Sequence, residues 1–295
     1  MRYLNKCGNE KKNSHKKRFI INTIILLLAS LVAYFSYYLV REHHVQQSYE
    51  NIRNKVSEFE DESNITEDFL PEEITTMDFE DQKHISQKIN PENNILIEEE
   101  KVTVSMEILE KYSELIDMNE DTVGWIEIEG TEINYPVLQT ENNTYYLNHS
   151  FEHLESISGS IFMDYRNSVS EEENLKGHYI LYGHNMKNGS MFQNLNMYKN
   201  EDFFNEFAVI EMDTIYEELE WDIFSVYITD ISNYYIRTQF DDKDDYLMFL
   251  EKLQSSSMYK TDTKLYDTDV ILTLSTCTYE IKDGRLVIHA RLRKR

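Results

Sequence analysis

Three residue types that mark special classes of protein are scarce in this sequence. Its 295 residues include 2 Cys, 3 Pro and 8 Gly. Two cysteines cannot build a disulfide-rich scaffold, and so little proline and glycine excludes a collagen-like or linker-dominated chain. Basic residues are also few, with 29 Lys and Arg against 54 Asp and Glu. Because a phosphate backbone is bound by a basic face, this balance argues against nucleic acid as a partner.

Apolar residues are plentiful, and the charges are unevenly spread. Hydrophobic residues make up 41% of the chain and aromatic residues 13%, so a packed core is expected rather than disorder. Residues 1–40 carry seven basic side chains and one acidic side chain, whereas the rest of the chain has a net formal charge of −31. The sequence is therefore a short cationic head on a strongly acidic body.

The head is typical of a membrane anchor. Residues 19–40 (FIINTIILLLASLVAYFSYYLV) contain no charged side chain, and a helix of this length spans a hydrocarbon core of about 30 Å. The basic cluster precedes this segment, so the positive-inside rule predicts a cytoplasmic tail over 1–18 and an extracytoplasmic body over 41–295. A cleaved signal peptide is the competing interpretation, but its apolar region is usually about 7–15 residues long and ends at small residues. We expect a single-pass protein of the cell membrane.

The body divides into an acidic stalk and a folded domain. The pattern is compatible with a short helix over Gln46–Phe59, but beyond it no hydrophobic period is sustained, and residues 41–105 as a whole are predicted to be a solvated extracytoplasmic stalk. From residue 106 onward the sequence predicts helices over 106–118 and 241–253 and a series of short strands separated by turns. About eight strands with few helices indicate a mainly β domain over 106–295, folded as a closed or nearly closed barrel. The predicted strands are Val123–Ile128, Ile133–Leu138, Ser160–Met163, Tyr179–Tyr182, Ala208–Met212, Trp221–Ile228, Val270–Thr276 and Leu286–Leu292.

The two cysteines are separated by the predicted membrane. Cys7 would lie inside and Cys277 outside, so the two cannot pair, and Cys277 is a lone extracytoplasmic thiol. Alternate residues of a strand share a face. In DVILTLSTC, Cys277 therefore falls on the more polar face, away from the expected core, which weakens its interpretation as a buried structural cysteine.

Three chemically complementary side chains stand at predicted strand ends: Cys277, His184 and Arg285. A thiolate attacks acyl carbon well, and a neighbouring cation stabilises it. A histidine can protonate a leaving amine, and the planar fork of an arginine can stabilise an oxyanion. This combination predicts a cysteine enzyme of acyl transfer.

The same residues carry a resemblance to a known family. The strand TLSTC at 273–277, the run LYGHNM at 181–186 and Arg285 eight residues after the cysteine together resemble the sortases. The stretch 119–139 is similar to the opening strands of that family, and the helix over 241–253 resembles the insertion of class B. The resemblance covers residues 106–295.

The resemblance implies an eight-stranded sortase barrel that acts as a cysteine transpeptidase. It implies that Cys277 is the nucleophile, His184 the general acid and base, and Arg285 the oxyanion stabiliser, with Ser275 and Tyr182 lining the substrate groove. It also implies that the substrates are surface proteins of a Gram-positive bacterium, cleaved after Thr in a C-terminal sorting signal and held as a thioester. The acceptor would be an amine of a cell-wall precursor or of peptidoglycan, and no metal or cofactor is implied.

Three other functions stay open at this point. A cysteine peptidase that only hydrolyses would use the same three residues, since hydrolysis and transpeptidation share the acyl-enzyme. A pilus-type sortase would polymerise pilin subunits, and many of these carry a lid segment, of which 41–105 shows no clear motif. A non-catalytic binding module with a sortase-like barrel is the third.

Overall fold

The computed structural model describes residues 2–67, 107–169, 177–230, 232–278 and 280–293. In these residues eight strands form a closed barrel in the order β1-β2-β3-β4-β7-β8-β6-β5, which confirms the mainly β architecture. The strands are β1 (Thr122–Glu127), β2 (Asn134–Leu138), β3 (Ile161–Met163), β4 (His178–Tyr182), β5 (Val209–Thr214), β6 (Glu220–Thr229), β7 (Ile271–Thr278) and β8 (Gly284–Leu292). The helices in the described residues are α1 (Arg2–Glu67), α2 (Glu110–Met118), α3 (Glu201–Glu206) and α4 (Lys243–Ser255).

Each of the eight predicted strands corresponds to an observed strand, but the way they pair was not readable from the sequence. β2 with β3 and β4 with β7 are parallel, and the other neighbours are antiparallel. The parallel β4–β7 pair is the important one for function, because it brings the ends of two distant segments to the same rim.

The barrel has a core on the inside and a second apolar cluster on the outside. Inside, alternate residues of β7 and β8 such as Leu274 and Ile288 are fully buried. Outside, Phe249 and Leu250 of α4 pack on Val287 and its neighbours. The outer face of β7 and β8 is therefore covered over much of its length, and side chains reach solvent mainly where the strands run past α4.

Helix α1 differs from the predicted solvated stalk. Its residues Val45, Tyr49, Ile52 and Val56 are buried in the same cluster as the barrel core. The Tyr49 ring meets the Tyr135 ring of β2 edge-on, with centroids 5.4 Å apart. Spacings of three and four residues put these side chains on one helical stripe, which is hidden in the sequence by the polar residues between them. Residues 68–105 of the predicted stalk lie outside the described residues, and the domain boundaries stay predictions.

The N-terminal part of α1 carries the long apolar run. Within the described residues one helical segment, Lys17–Phe59, is long and apolar enough to cross a membrane by length and composition, with a mean hydropathy of 2.2 in its most apolar window. Side chains such as Leu26 and Val32 are more than half exposed, so this run has no protein core of its own. An exposed hydrophobic surface of this size is typical of a site that interacts with a protein or a membrane.

Candidate active site

Cys277 lies at the end of β7, between β4 and β8. Its neighbours Thr276 and Thr278 are buried, whereas Cys277 is half-buried and its thiol is free. The alternation predicted for this strand therefore holds, and the sulfur is on the outer face beyond the cover of α4.

Arg285 is placed beside Cys277 by a hairpin. β7 and β8 are antiparallel, with Cys277 opposite Arg285 and Thr278 opposite Gly284. The chain reverses through Asp283, whose φ of 54° is in the left-handed region. Nη1 of Arg285 donates to the Gly284 carbonyl at 2.9 Å, and Nε and Nη2 have no partner among the described residues. Two guanidinium donor groups are thus available at the level of the thiol.

His184 is brought to the same level by the parallel strand. Tyr182, the last residue of β4, is opposite Ser275 of β7. His184, two residues after Tyr182, therefore reaches the level of Cys277. The turn that follows is fastened to β7, because Thr276 Oγ1 donates to the Gly183 carbonyl at 2.8 Å. A Cβ on Gly183 would lie 2.8 Å from the Phe192 ring, so this close approach requires glycine.

Asn185 adds a direct link between the histidine turn and the cysteine strand. Its side-chain nitrogen donates to the Cys277 carbonyl at 2.8 Å, and its oxygen accepts from Asn196 at 3.2 Å. The bond fixes the backbone on both sides of the site. Sequence reasoning missed this residue, because an asparagine in a turn has no signature of a long-range contact.

The imidazole of His184 has a defined tautomer. Its Nε2 is 2.7 Å from the Leu147 carbonyl oxygen. A carbonyl only accepts, so Nε2 carries the proton and donates it. Nδ1 is therefore the nitrogen that can take up and release a proton in a reaction.

The five predicted site residues line one cavity of about 310 Å³. Its remaining walls are contributed by three segments, the turn after β2, strand β3 and the connection that leads from β6 to α4. The side chains that matter for its shape are Asn143, Leu147, Phe162, Tyr234, Tyr235 and Ile236. A larger cavity of about 570 Å³ lies beside residues 216–220, but no cysteine or histidine lines it.

The hydroxyl groups of the two predicted groove residues are both engaged. The Ser275 hydroxyl is 2.7 Å from the Tyr235 hydroxyl, and Tyr182 donates to Asp164 at 2.8 Å. Burial, followed by the charge of Asp164, raises the pKa of Tyr182, so its phenol stays protonated. Both residues line the cavity, and their contact with substrate stays a prediction.

Asp164 is hydrogen-bonded to residues from several walls of the cavity. It is fully buried and accepts from Arg166 through Nε at 2.7 Å and Nη2 at 2.6 Å, and from Asn143 at 2.9 Å. Burial alone would raise the pKa of the carboxyl group, but the hydrogen bonds from Arg166 outweigh it and lower the pKa. Arg166 also donates to the Tyr234 hydroxyl at 3.1 Å and to the Ile236 carbonyl at 3.2 Å. The ion pair therefore joins three walls, and no sequence signal distinguishes it from an ordinary loop pair.

Two further histidines form a buried chain away from this cavity. The Arg237 carbonyl accepts from His178 Nδ1 at 2.6 Å, so His178 Nε2 accepts from the Thr273 hydroxyl. The Thr273 oxygen then accepts from His289 Nδ1 at 2.6 Å, and His289 Nε2 accepts from Tyr227 at 3.0 Å. Burial lowers the pKa of His178 to about 4 and that of His289 well below its usual range. Both rings are neutral and structural.

The described residues hold no group of three or more His, Cys, Asp or Glu side chains arranged to bind a metal ion. His149, which together with His153 has a spacing compatible with a metal site, instead stacks on Tyr145 with ring centroids 4.1 Å apart.

Comparison with known proteins points to one family. The model of the sortase domain matches residues 126–293. Sortase B of Listeria monocytogenes is 40% identical over 191 residues, which are 64% of this chain and 76% of that protein. The crystal structure of Bacillus anthracis sortase B in complex with AAEK1 superposes with a TM-score of 0.59 at 44% identity, covering 64% of this chain and 86% of that one. The substrate complex of Staphylococcus aureus sortase B has a TM-score of 0.67 at 29% identity and covers 86% of this chain and 99% of that one.

Proposed function

The chain belongs to the sortase family and is a class B cysteine transpeptidase, and from this premise we propose that it cleaves a C-terminal sorting signal after Thr and joins the surface protein to a cell-wall amine. The observation that carries the proposal is the register of three strands. β4, β7 and β8 bring His184, Cys277 and Arg285 to one rim of a cavity large enough for a short peptide segment.

In the first half-reaction, the Cys277 sulfur attacks the Thr carbonyl carbon, and the thiol proton passes to Nδ1 of His184. The tetrahedral intermediate carries a negative oxygen, and the guanidinium of Arg285 stabilises it with its Nε and Nη2 donors. When the C–N bond breaks, Nδ1 returns its proton to the leaving amine. The product is a thioester between Cys277 and the acyl group of Thr.

In the second half-reaction, an amine of the cell-wall precursor or of peptidoglycan attacks the thioester. Its proton passes to Nδ1 of His184, the same oxyanion forms, and the sulfur leaves. The thiol then recovers its proton, so the enzyme is regenerated. Because Nε2 donates its hydrogen bond to the Leu147 carbonyl, only Nδ1 of the imidazole takes up and releases the proton in both steps.

The proposal includes the position of the chain in the cell membrane. α1 anchors the chain in the cell membrane as a single pass over 19–40, with residues 1–18 in the cytoplasm and the barrel outside. The charge distribution supports this, since the basic residues of the head precede the apolar run and the body is acidic.

The experiment uses the full chain in detergent micelles with a panel of peptides that carry candidate sorting signals. Cleavage after Thr and transfer to an added primary amine, read by mass spectrometry, are expected. Cys277→Ala should abolish both, whereas Cys7→Ala should leave both unchanged. If peptide is cleaved but the product is always the free acid, even at high amine concentration, the enzyme is a hydrolase and the transfer step is wrong. Turnover by Cys277→Ala would overturn the mechanism.

A further inference from the structure

A loop of the barrel contacts α1 at the point where the apolar run ends. We call residues 148–158 the juxtamembrane loop. Arg41, the first residue after the run 19–40, pairs with Glu155 at 3.3 Å, and Glu42 accepts from Ser156 at 3.2 Å and from Ser158. The loop is therefore tied to the first turn of helix beyond the apolar run.

Further contacts make this attachment rigid. Ser48 donates to Glu152 at 2.9 Å, and the buried Tyr49 hydroxyl meets the Ser160 hydroxyl at 2.8 Å just beyond the loop. Because α1 is continuous from the apolar run into this contact, no flexible linker separates the two. The height of the loop relative to the apolar run is set by the helix, which rises about 1.5 Å per residue.

The loop exposes apolar side chains at this level. Leu154 is 42% exposed and Ile157 is 52% exposed. Ile157 faces a cavity of about 540 Å³ that it shares with Tyr34, Tyr37 and Tyr38 of the apolar run. Tyrosine side chains at this end of a membrane span lie at the interface between lipid and water. Ile157 thus extends the apolar surface of the helix sideways onto the barrel, and Leu154 is exposed three residues before it in the same loop.

We propose that the juxtamembrane loop is a lipid-contacting surface, in which Leu154 and Ile157 enter the headgroup layer of the bilayer that α1 spans. The proposal rests on the anchoring part of the proposed function. The acidic residues of the loop do not oppose it, since Glu155 is paired with Arg41 and Glu152 accepts from Ser48. The barrel as a whole is too acidic to bind an anionic surface by charge, so the contact is apolar.

The same loop leads to the active site. It begins one residue after Leu147, whose carbonyl accepts from Nε2 of His184. Its two arms are joined by the hydrogen bond from the Ser156 amide to the Asn148 carbonyl at 2.9 Å. A loop held on the bilayer at Ile157 would therefore fix the height of the cavity mouth above the lipid, and would set which part of a substrate can reach Cys277.

The test places tryptophan reporters in the full chain, reconstituted in phosphatidylcholine vesicles whose acyl chains are brominated near the headgroup. Ile157→Trp is the reporter, and Phe35→Trp in the apolar run shows insertion. Met248→Trp is the matched control, because Met248 is exposed on α4. α4 packs on β6 and β8, and β8 is opposite β2 in the barrel, so this residue faces away from α1. The native Trp125 and Trp221 are buried, and the parent chain corrects for them.

We expect the emission at positions 35 and 157 to be blue-shifted in vesicles and quenched by bromolipid, and the emission at position 248 not to be quenched. Adding Leu154→Asp to the Ile157→Trp chain should weaken the quenching at 157, because a charged side chain opposes entry of the loop into the headgroup layer, whereas Leu154→Asp should not change the quenching at 35. No quenching at 35 would mean that anchoring itself is wrong. Quenching at 35 without quenching at 157 would overturn the lipid contact while leaving the anchor intact. Thermal melts of all reporters should coincide with that of the parent.

Discussion

Cys277 and Arg285 are directly opposed in the antiparallel ladder of β7 and β8. Directly opposed residues share a face, with Cβ atoms about 4.5–5.5 Å apart. The eight-residue spacing between them is what a hairpin with this connection requires, because Thr278 pairs with Gly284 immediately before the turn. A guanidinium is thus held beside the thiol by backbone pairing, and its position does not depend on a long loop.

This pairing distinguishes Arg285 from Arg291, the other arginine of the same strand. Arg285→Ala and Arg285→Lys should both lower kcat/KM on a sorting peptide by about 100-fold or more, since lysine keeps the charge but loses the planar fork. Thermal melts should match the wild type, because a half-exposed arginine contributes little to stability. Arg291→Ala is the matched control, as it lies at the far end of β8 opposite Ile271. A reversed pattern, with Arg291→Ala inactive and Arg285→Ala active, would mean that the oxyanion donor is misassigned.

Asn185 is expected to act as a positioning residue through its bond to the Cys277 carbonyl. Asn185→Ala should lower kcat by about 10-fold or more, because a misplacement of about 1 Å between reacting groups is costly. KM should change little, since the side chain does not line the cavity. Asn188→Ala, in the same turn, is the control, because Asn188 bonds to Ser190 within the turn. Equal effects of the two substitutions on kcat would indicate general loosening of the turn.

The buried histidine chain predicts a dependence of stability on pH. His178 has a pKa of about 4 in the folded state, against about 6.5 in an unfolded chain. The unfolded state therefore takes up protons first as the pH falls. The free energy of unfolding should be constant above about pH 7 and fall below about 6.5, with a loss of about 3 kcal/mol from His178 by pH 4. His289 acts in the same direction, since its pKa is also lowered.

Urea denaturation between pH 7 and 5 measures this effect where most carboxylates stay ionised. His178→Gln should flatten the curve relative to the wild type, and the exposed His153→Gln should leave it unchanged. A wild type and a His178→Gln variant with the same pH dependence would show that protonation of this ring does not contribute.

Strand positions and the three predicted catalytic residues could be named from the sequence mainly because they depend on local patterns. The alternation in DVILTLSTC places Cys277 on the outer face, and Cys277 is half-buried there although Ile271, Thr273 and Ser275 of the same face are buried under α4 and its neighbours. The spacing of Cys277 and Arg285 is a hairpin distance within one continuous stretch. His184 belongs to this group only through resemblance, since the parallel pairing of β4 with β7 joins segments almost a hundred residues apart.

The parts that the sequence did not reveal depend on contacts between distant segments. Asp164 and Arg166 are close in sequence and look like an ordinary ion pair. Only in the fold do they link the cavity walls, because Tyr182 bonds to Asp164 and Arg166 bonds to Tyr234. In α1, the stripe that contains Tyr49 is only one residue wide, so its apolar signal is averaged away by the polar residues on either side. Whether such a stripe is buried depends on the barrel surface against which the helix packs, and this surface is formed by distant segments.

The packing of α1 on the barrel bears on the predicted domain boundary at residue 106, because residues before this boundary contribute to the core. We expect the chain 106–295 to unfold cooperatively, since all eight strands of the described residues lie within it, but to be less stable than the chain 41–295. Four buried side chains of α1 are missing from the shorter chain, and fully burying one such side chain contributes about 1.5–3 kcal/mol. In the longer chain, Tyr49→Ala should lower the free energy of unfolding by about 3 kcal/mol, through lost packing and the lost bond to Ser160. Asn51→Ala, on the exposed side of the same helix, should stay within about 0.5 kcal/mol. Equal stability of the two chains in urea would mean that residues 41–67 behave as the solvated stalk that their composition indicates, and that the barrel holds together without them.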